Sequence, residues 1–382
     1  MSYYLKADKY LLENEEKHGG YLLIDDGRFG SFVSQVPLDA RVIDYSGYTI
    51  APGLFDTHIH GIKGNDIMDG EVKAVQEISK TLVSLGVTRF LPTTLTSSKK
   101  DLDRAIIAIR EAVTEGLPGA QSEGIFLEGP YFTELHKGAQ NASYFRDPDI
   151  EEFQYWQQLA HGTIKKIAIA PEREGALDFI RKVSIEGVLV SIAHTDATYE
   201  CCKEAVDTGA RNYVHLFNGM TGLHHRKPGV VGAALMDDRA YAELICDSFH
   251  VHPEVTALAL RIKGDKLQLI TDCMQAGLMP DGNYQLGEFP VVMKDGIAQL
   301  KSGSLAGSTL KLVDGVKNLQ EWSSEPLYKI WNLGSLTPAK SLGLDLYLGS
   351  ISPGKIADYV VLDEQLVIQA TAVAGELKFI KK

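Results

Sequence analysis

The sequence predicts an α/β protein, a (β/α)8 TIM-like barrel joined to a small β-sandwich domain built from both ends of the chain. Three observations carry that prediction. From residue 51 to 345, short apolar runs alternate with amphipathic segments, the grammar of strand, helix, strand. Residues 1–50 and 346–382 instead alternate apolar and polar side chains between Gly and Asp-Gly turns, the pattern of β-hairpins. And in VLVSIAHTDATYECCKEAVDTGARNYVHLF, Val188–Phe217, two successive apolar runs close on an imidazole, His194 and His215. Strand ends converge on one mouth in such a barrel, so those two rings arrive together.

In chain order, YLKADKYLL, GYLLIDDGRFGSFV and ARVIDYSGYTI open the small domain, and GKIADYVVLDEQLVIQ and ELKFIKK complete it. Neither end is long enough for a core of its own, so the two pair. Eight runs then supply the barrel strands: Ala51–His60, Thr88–Thr94, Gly124–Pro130, Lys165–Pro171, Val188–His194, Asn212–Asn218, Ala242–Asp247 and Leu267–Asp272. Helices between them include Lys100–Glu115 and Pro253–Lys263, the second with proline at its first position, where no N–H is needed. Asn283–Leu300 reads as a hairpin inserted after the eighth strand, and Thr337-Pro338 as the cap of a last helix.

The 382 residues suffice for one large domain and a smaller one. Lys and Arg number 38 against 50 Asp and Glu, a net charge of −12 that speaks against a nucleic-acid groove or an anionic membrane surface. No apolar run nears the roughly 20 residues that span a bilayer. The first residues, MSYYLKADKYLLENEE, lack the basic flank and apolar core of a signal peptide. Cys201, Cys202, Cys246 and Cys273 show no CxxC spacing and read as free thiols of a reducing cytosol. A cytoplasmic protein is the expectation.

The predicted strand ends carry His58, His60, Glu128, His194, His215, Asp247 and Asp272. His58 and His60 are two apart on a strand and face the same side. Imidazole and carboxylate together suit a borderline divalent metal such as Zn²⁺ or Fe²⁺. A lone histidine of this kind is more often a hydrogen-bonded core residue. Histidines and carboxylates ending so many strands of one barrel point to a metal.

The segment PGLFDTHIHG, with His194, His215 and Asp272 at later strand ends, resembles the metal-dependent amidohydrolase superfamily. FLEGPYF, HKGAQN, AHTDATY, HLFNGMTGLHHRKPG, CDSFHVHP, TDCMQAGLMPDG and LAGSTL narrow the resemblance to its N-acetylglucosamine-6-phosphate deacetylase family. The resemblance implies hydrolysis of N-acetylglucosamine-6-phosphate to glucosamine-6-phosphate and acetate, in amino-sugar catabolism or cell-wall sugar recycling. It implies a tight metal site at Glu128, His194 and His215, and a weaker one at His58, His60 and Glu128. Asp272 is then the catalytic acid and base. Gln140, Asn218, Gly219, Arg226 and His250 become substrate contacts, with Arg226 bringing charge to the phosphate. The family's homodimer implies that a neighbouring subunit completes part of this site.

Two departures stand out. Many dinuclear relatives carry a modified lysine at the end of the fourth strand; here that end is IAIAPE, Glu128 is the substitute anion, and Lys165 and Lys166 are expected to face the opposite rim. Gln140 stands where some family members have a histidine. Rival readings are the galacto epimer as substrate, and an amidohydrolase acting on a cyclic amide or a base, against which the missing lysine counts. A phosphate-loop module is a poor fit, because GSLAGSTLK lacks the GK[ST] order. An inactive scaffold would not need the full set Glu128, His194, His215 and Asp272.

Overall fold

The structure, a computed structural model, describes residues 2–382. Each of the eight predicted runs supplies a parallel barrel strand: β1 (Leu54–Ile59), β2 (Val87–Thr94), β3 (Ile125–Tyr131), β4 (Ile164–Ile169), β5 (Leu189–Ile192), β6 (Asn212–Tyr213), β7 (Tyr241–Ile245) and β8 (Leu267–Ile270). They pair in chain order from β1 to β8. β8 and β1 then meet at a seam of single bonds. Asp272 N donates to His58 O at 2.9 Å, His60 N to Cys273 O at 2.9 Å, and the Thr271 hydroxyl to the Asp56 carboxylate at 2.6 Å. This seam sets Asp272 against His58 and His60.

The surrounding helices form for local reasons. The helix Lys99–Glu115 starts where Ser98 Oγ accepts from Asp101 N, and it buries Leu102, Ala105, Ile106, Ile109 and Ala112 as one stripe. The helix Pro253–Lys263 has the predicted bounds; His252 caps it by accepting from Glu254 N.

Three expectations are corrected. The first predicted run spans two units: Val42–Pro52 belongs to the end-built sheet, and the barrel strand starts only at Leu54. Gly53 is the crossing point, where a Cβ would lie 2.2 Å from Thr88 Oγ1. The insert after β8 has three strands, Gly282–Leu286, Phe289–Lys294 and Ile297–Leu300, rather than two. Asp295-Gly296, at φ 52° and 80°, adds the second reversal, and an Asp-Gly pair in this conformation is a hairpin signal. The last helix runs Leu336–Ser341 from Ser335, so Thr337-Pro338 sits inside its first turn.

Both chain ends join one eight-stranded sheet. Tyr3–Leu11 lies parallel to Val42–Pro52, which pairs with Tyr359–Leu362. An isolated bridge from Arg28 to Ile356 curls the sheet back around Leu5, Tyr10, Leu22, Ile24, Phe29, Ile50, Tyr359 and Val361. Arg89 of β2 ties this unit to the barrel: its guanidinium donates to Asp358 at 2.6 and 3.2 Å and to Glu123 at 2.6 Å. No helix among the described residues is long and apolar enough to cross a membrane.

Asp358→Ala leaves the Arg89 charge buried with one carboxylate instead of two. Breaking such a pair costs about 3–5 kcal/mol. The midpoint of urea unfolding should fall accordingly; an unchanged midpoint would mean that the joint does not depend on this pair.

Candidate metal centre

Four imidazoles and two carboxylates meet at the C-terminal mouth of the barrel. They fall into two triads, His58, His60 and Asp272, and Glu128, His194 and His215, with one ligand atom of each residue within 4.8 Å of the others in its triad. Glu128 joins the two. Its Oε1 is 3.4 Å from the Nε2 atoms of His58, His194 and His215, and its Oε2 is 3.3 Å from His60 Nε2. Asp272 Oδ1 lies 3.4 Å from His58 Nε2 and 3.2 Å from His60 Nε2.

Every ring turns the same atom inward, because each Nδ1 has an oxygen behind it. His60 Nδ1 faces Thr93 O at 3.2 Å, His194 Nδ1 faces His136 O at 3.0 Å, and His215 Nδ1 faces Asn218 O at 3.0 Å. A carbonyl only accepts, so these three nitrogens carry the proton and leave the Nε2 lone pair for a metal. For His58 the acceptor is a carboxylate, Glu243 Oε2, at 3.2 Å. The donor set therefore fits a divalent ion.

The chain bends sharply to present these groups. His194, His215 and Asp272 have φ of 43°, 32° and 52°, a left-handed region that side-chain-bearing residues rarely enter and that clusters at functional sites. β6 is correspondingly short, since the predicted strand to Asn218 breaks at His215. Gly219 packs on His194: a Cβ there would lie 2.9 Å from His194 Nδ1.

The charges are held in place by one another. Burial works against the Glu128 anion, but the imidazoles around it, His58 first and then His194, His215 and His60, hold its carboxyl well below the ordinary range. Asp272 bears the same burial cost, and His58 and His60 still bring it down to about 2. Asp56, behind the seam, goes the other way: burial outweighs the bonds from Thr271 and His58 N, and it rises to about 7.

A cavity of about 230 Å³ opens on the cluster, lined among others by Gln140, Asn218, Gly219, His250, Leu286 and Gly307. His250 is held by its Nδ1, 2.6 Å from Asp247 Oδ2. A larger cleft of about 390 Å³, beside the helix Pro253–Lys263 and residues 328–340, contains neither triad.

Residues 49–380 match the model of the amidohydrolase family. The chain is 44% identical over 340 residues to N-acetylglucosamine-6-phosphate deacetylase of Vibrio furnissii, covering 89% of this chain and 85% of that one. It is 39% identical to N-acetylgalactosamine-6-phosphate deacetylase of Escherichia coli, over 99% of each chain. A variant of the Mycobacterium smegmatis N-acetyl-D-glucosamine-6-phosphate deacetylase, in complex with N-acetyl-D-glucosamine-6-phosphate, superposes with a TM-score of 0.93 at 31% identity, over 99% of each chain.

Of the residues singled out in the sequence, the structure gathers His58, His60, Glu128, His194, His215 and Asp272 in the cluster, and Gln140, Asn218, Gly219 and His250 in the cavity wall. One expectation is corrected, that for Lys166, and three placements add detail. Asp272 belongs to the second triad, because the seam carries it there. Gln140 is held within the chain: its Oε1 accepts from Thr96 N at 3.0 Å, so its Nε2 faces Glu128 Oε2, at 2.7 Å. Arg226 is exposed and does not line this cavity; a tight turn bridging His224 and Lys227 directs it outward, where it donates to His225 Nε2. Lys166 does not face the opposite rim. It is fully buried inside the barrel, donating to Glu243 and to Thr57 O, while Lys165 alone is exposed.

Glu243 and Lys166 were missed as site residues. Both are charges inside apolar strand runs, and a charge buried in a strand requires a partner. Burial brings Lys166 below its ordinary value, while Lys166 and His58 hold Glu243 at about 2 against the same burial.

Gln140→Leu removes a buried partner from both Thr96 N–H and Glu128. An unsatisfied buried group costs about 1–3 kcal/mol. The metal-free variant should lose that much in urea unfolding; unaltered stability would return Gln140 to a role in substrate contact alone.

Proposed function

We infer the reaction from one premise: this chain belongs to the amidohydrolase family. It is a metal-dependent amide hydrolase, and it removes the acetyl group of N-acetylglucosamine-6-phosphate to give glucosamine-6-phosphate and acetate. The observation that carries this reading is the pair of triads joined by Glu128, with Asp272 beside them, facing one cavity. A bound divalent ion lowers the pKa of water and polarises a carbonyl.

The residues divide the remaining work. Glu128, His194 and His215 would hold the tighter ion, Zn²⁺ or Fe²⁺. His58 and His60, with Asp272 and Glu128, would hold a weaker second one. Asp272 is ionised at neutral pH and takes the proton of the attacking water. It then delivers that proton to the leaving nitrogen, so one carboxyl serves as base and acid. Asn218, Gly219 and His250 contact the sugar phosphate, and Gln140 acts on it only through Glu128. Arg226 points away from its own cavity, which supports a homodimer in which it reaches the phosphate held by a neighbouring subunit. Arg suits that task because its planar fork binds two oxygens. A cytoplasmic place in amino-sugar catabolism follows from the substrate and the free thiols.

One observation favours a second reading. A relative matching 99% of this chain at 39% identity is named for the galacto epimer. Acetate release from the two 6-phosphates decides between them: the gluco compound should give the higher kcat/KM, and preference for the galacto compound would overturn the assignment.

Phosphate removal should cost more than loss of any sugar hydroxyl, since charged contacts contribute about 1.5–3 kcal/mol each. Equal turnover of phosphorylated and free sugar would refute the phosphate site. Arg226→Ala should raise KM and leave metal content intact. Asp272→Asn should keep the fold and the metal at Glu128, His194 and His215. Its turnover should fall by about 10² to 10⁴-fold, because both proton transfers pass through one carboxyl. Activity within a few-fold of the parent would assign those transfers to another group.

A further inference from the structure

Beneath the metal cluster the barrel holds a polar layer where branched apolar side chains are the rule. Lys166 from β4, Asn212 from β6, Glu243 from β7 and Gln268 from β8 are all fully buried. They converge on one atom. Glu243 Oε1 receives Lys166 Nζ, Asn212 Nδ2 at 2.8 Å and Gln268 Nε2 at 3.2 Å. Its other oxygen, Oε2, faces His58 Nδ1. Three of the four cluster imidazoles rest on backbone carbonyls; His58 alone rests on a side chain, and that side chain is itself held from three directions.

We propose that Glu243, fixed by Lys166, Asn212 and Gln268, is a positioning residue that holds His58 in the Nδ1–H tautomer and so sets the affinity of the second metal position, at His58, His60 and Asp272. The inference rests on the two-ion reading above. Its logic lies in the donors. All three groups on Oε1 are N–H donors, so that position accepts only an oxygen. In Glu243→Gln the amide oxygen must take it, and the amide NH2 must then face His58 Nδ1. Two donors cannot share a bond, so the His58 proton moves to Nε2 and points into the cluster. The lone pair that would ligate is lost, while Glu128, His194 and His215 are untouched.

The test is calorimetric titration of the metal-free full chain with Zn²⁺, parent beside Glu243→Gln, together with ¹⁵N spectra of the histidine rings in the metal-free parent. The parent should take up two equivalents. In the variant the first should bind as in the parent and the second about 10–100-fold more weakly, the usual loss when such a backing partner is removed. His58 of the parent should report a protonated Nδ1, a readout that survives even if the variant fails to fold. Equal binding of both equivalents by both proteins overturns the proposal, as does a parent His58 with no proton on Nδ1. A parent that never exceeds one equivalent overturns the two-ion reading and the proposal with it.

Discussion

The site depends on what stands behind each imidazole rather than in front of it. Four rings with free tautomers would present Nε2–H as readily as a lone pair, and a cluster of N–H groups binds no cation. Thr93 O, His136 O, Asn218 O and the Glu243 carboxylate remove that freedom. Three of the four are backbone atoms, so the selection is written into strand and loop geometry. The left-handed turns at His194 and His215 belong to the same device, since they bring each ring back onto a carbonyl.

The fold was readable because its signals are long and repeated. All eight apolar runs became strands, and Pro253–Lys263 was delimited by its proline and by Gly264. The first-strand boundary was hidden because apolar sequence continues from Thr49 through Ile59 while the chain changes partners at Gly53. The six cluster residues were legible from their place at strand ends. The partners of Gln140 were not, because nothing local says that Thr96 N will claim its oxygen. Nor was the direction of Arg226: a basic residue near a predicted site carries no orientation, and the turn at His224–Lys227 faces it away from its own cavity.

The barrel interior trades packing for orientation. Glu243 and Lys166 occupy space that Leu or Ile would fill at less electrostatic risk, since a buried ion pair rarely adds net stability over apolar residues of similar volume. The arrangement makes sense as geometry. The Lys166 ammonium lies 3.8 Å over the Phe126 ring, and that ring packs edge-on to His58. The layer thus braces one ligand from two sides.

The seam has a consequence for how the chain is made. Asp56 and Thr271, which bond across it, stand 215 positions apart, and Tyr3 and Tyr359, joined through their hydroxyls in the sheet, stand 356 apart. During synthesis the histidine pair leaves the ribosome long before Asp272, and the first strand long before the strand that completes its sheet. The histidine pair waits for Asp272 and Cys273, the first sheet strands wait for Tyr359–Leu362, and contacts so distant in sequence form slowly. A ribosome that stalls before Tyr359–Leu362 leaves a product with an open sheet edge along Val42–Pro52, a target for aggregation or proteolysis. Quality control on this protein is built into its connectivity: until Tyr359–Leu362 is made, Val42–Pro52 lacks one of its two neighbours in the sheet.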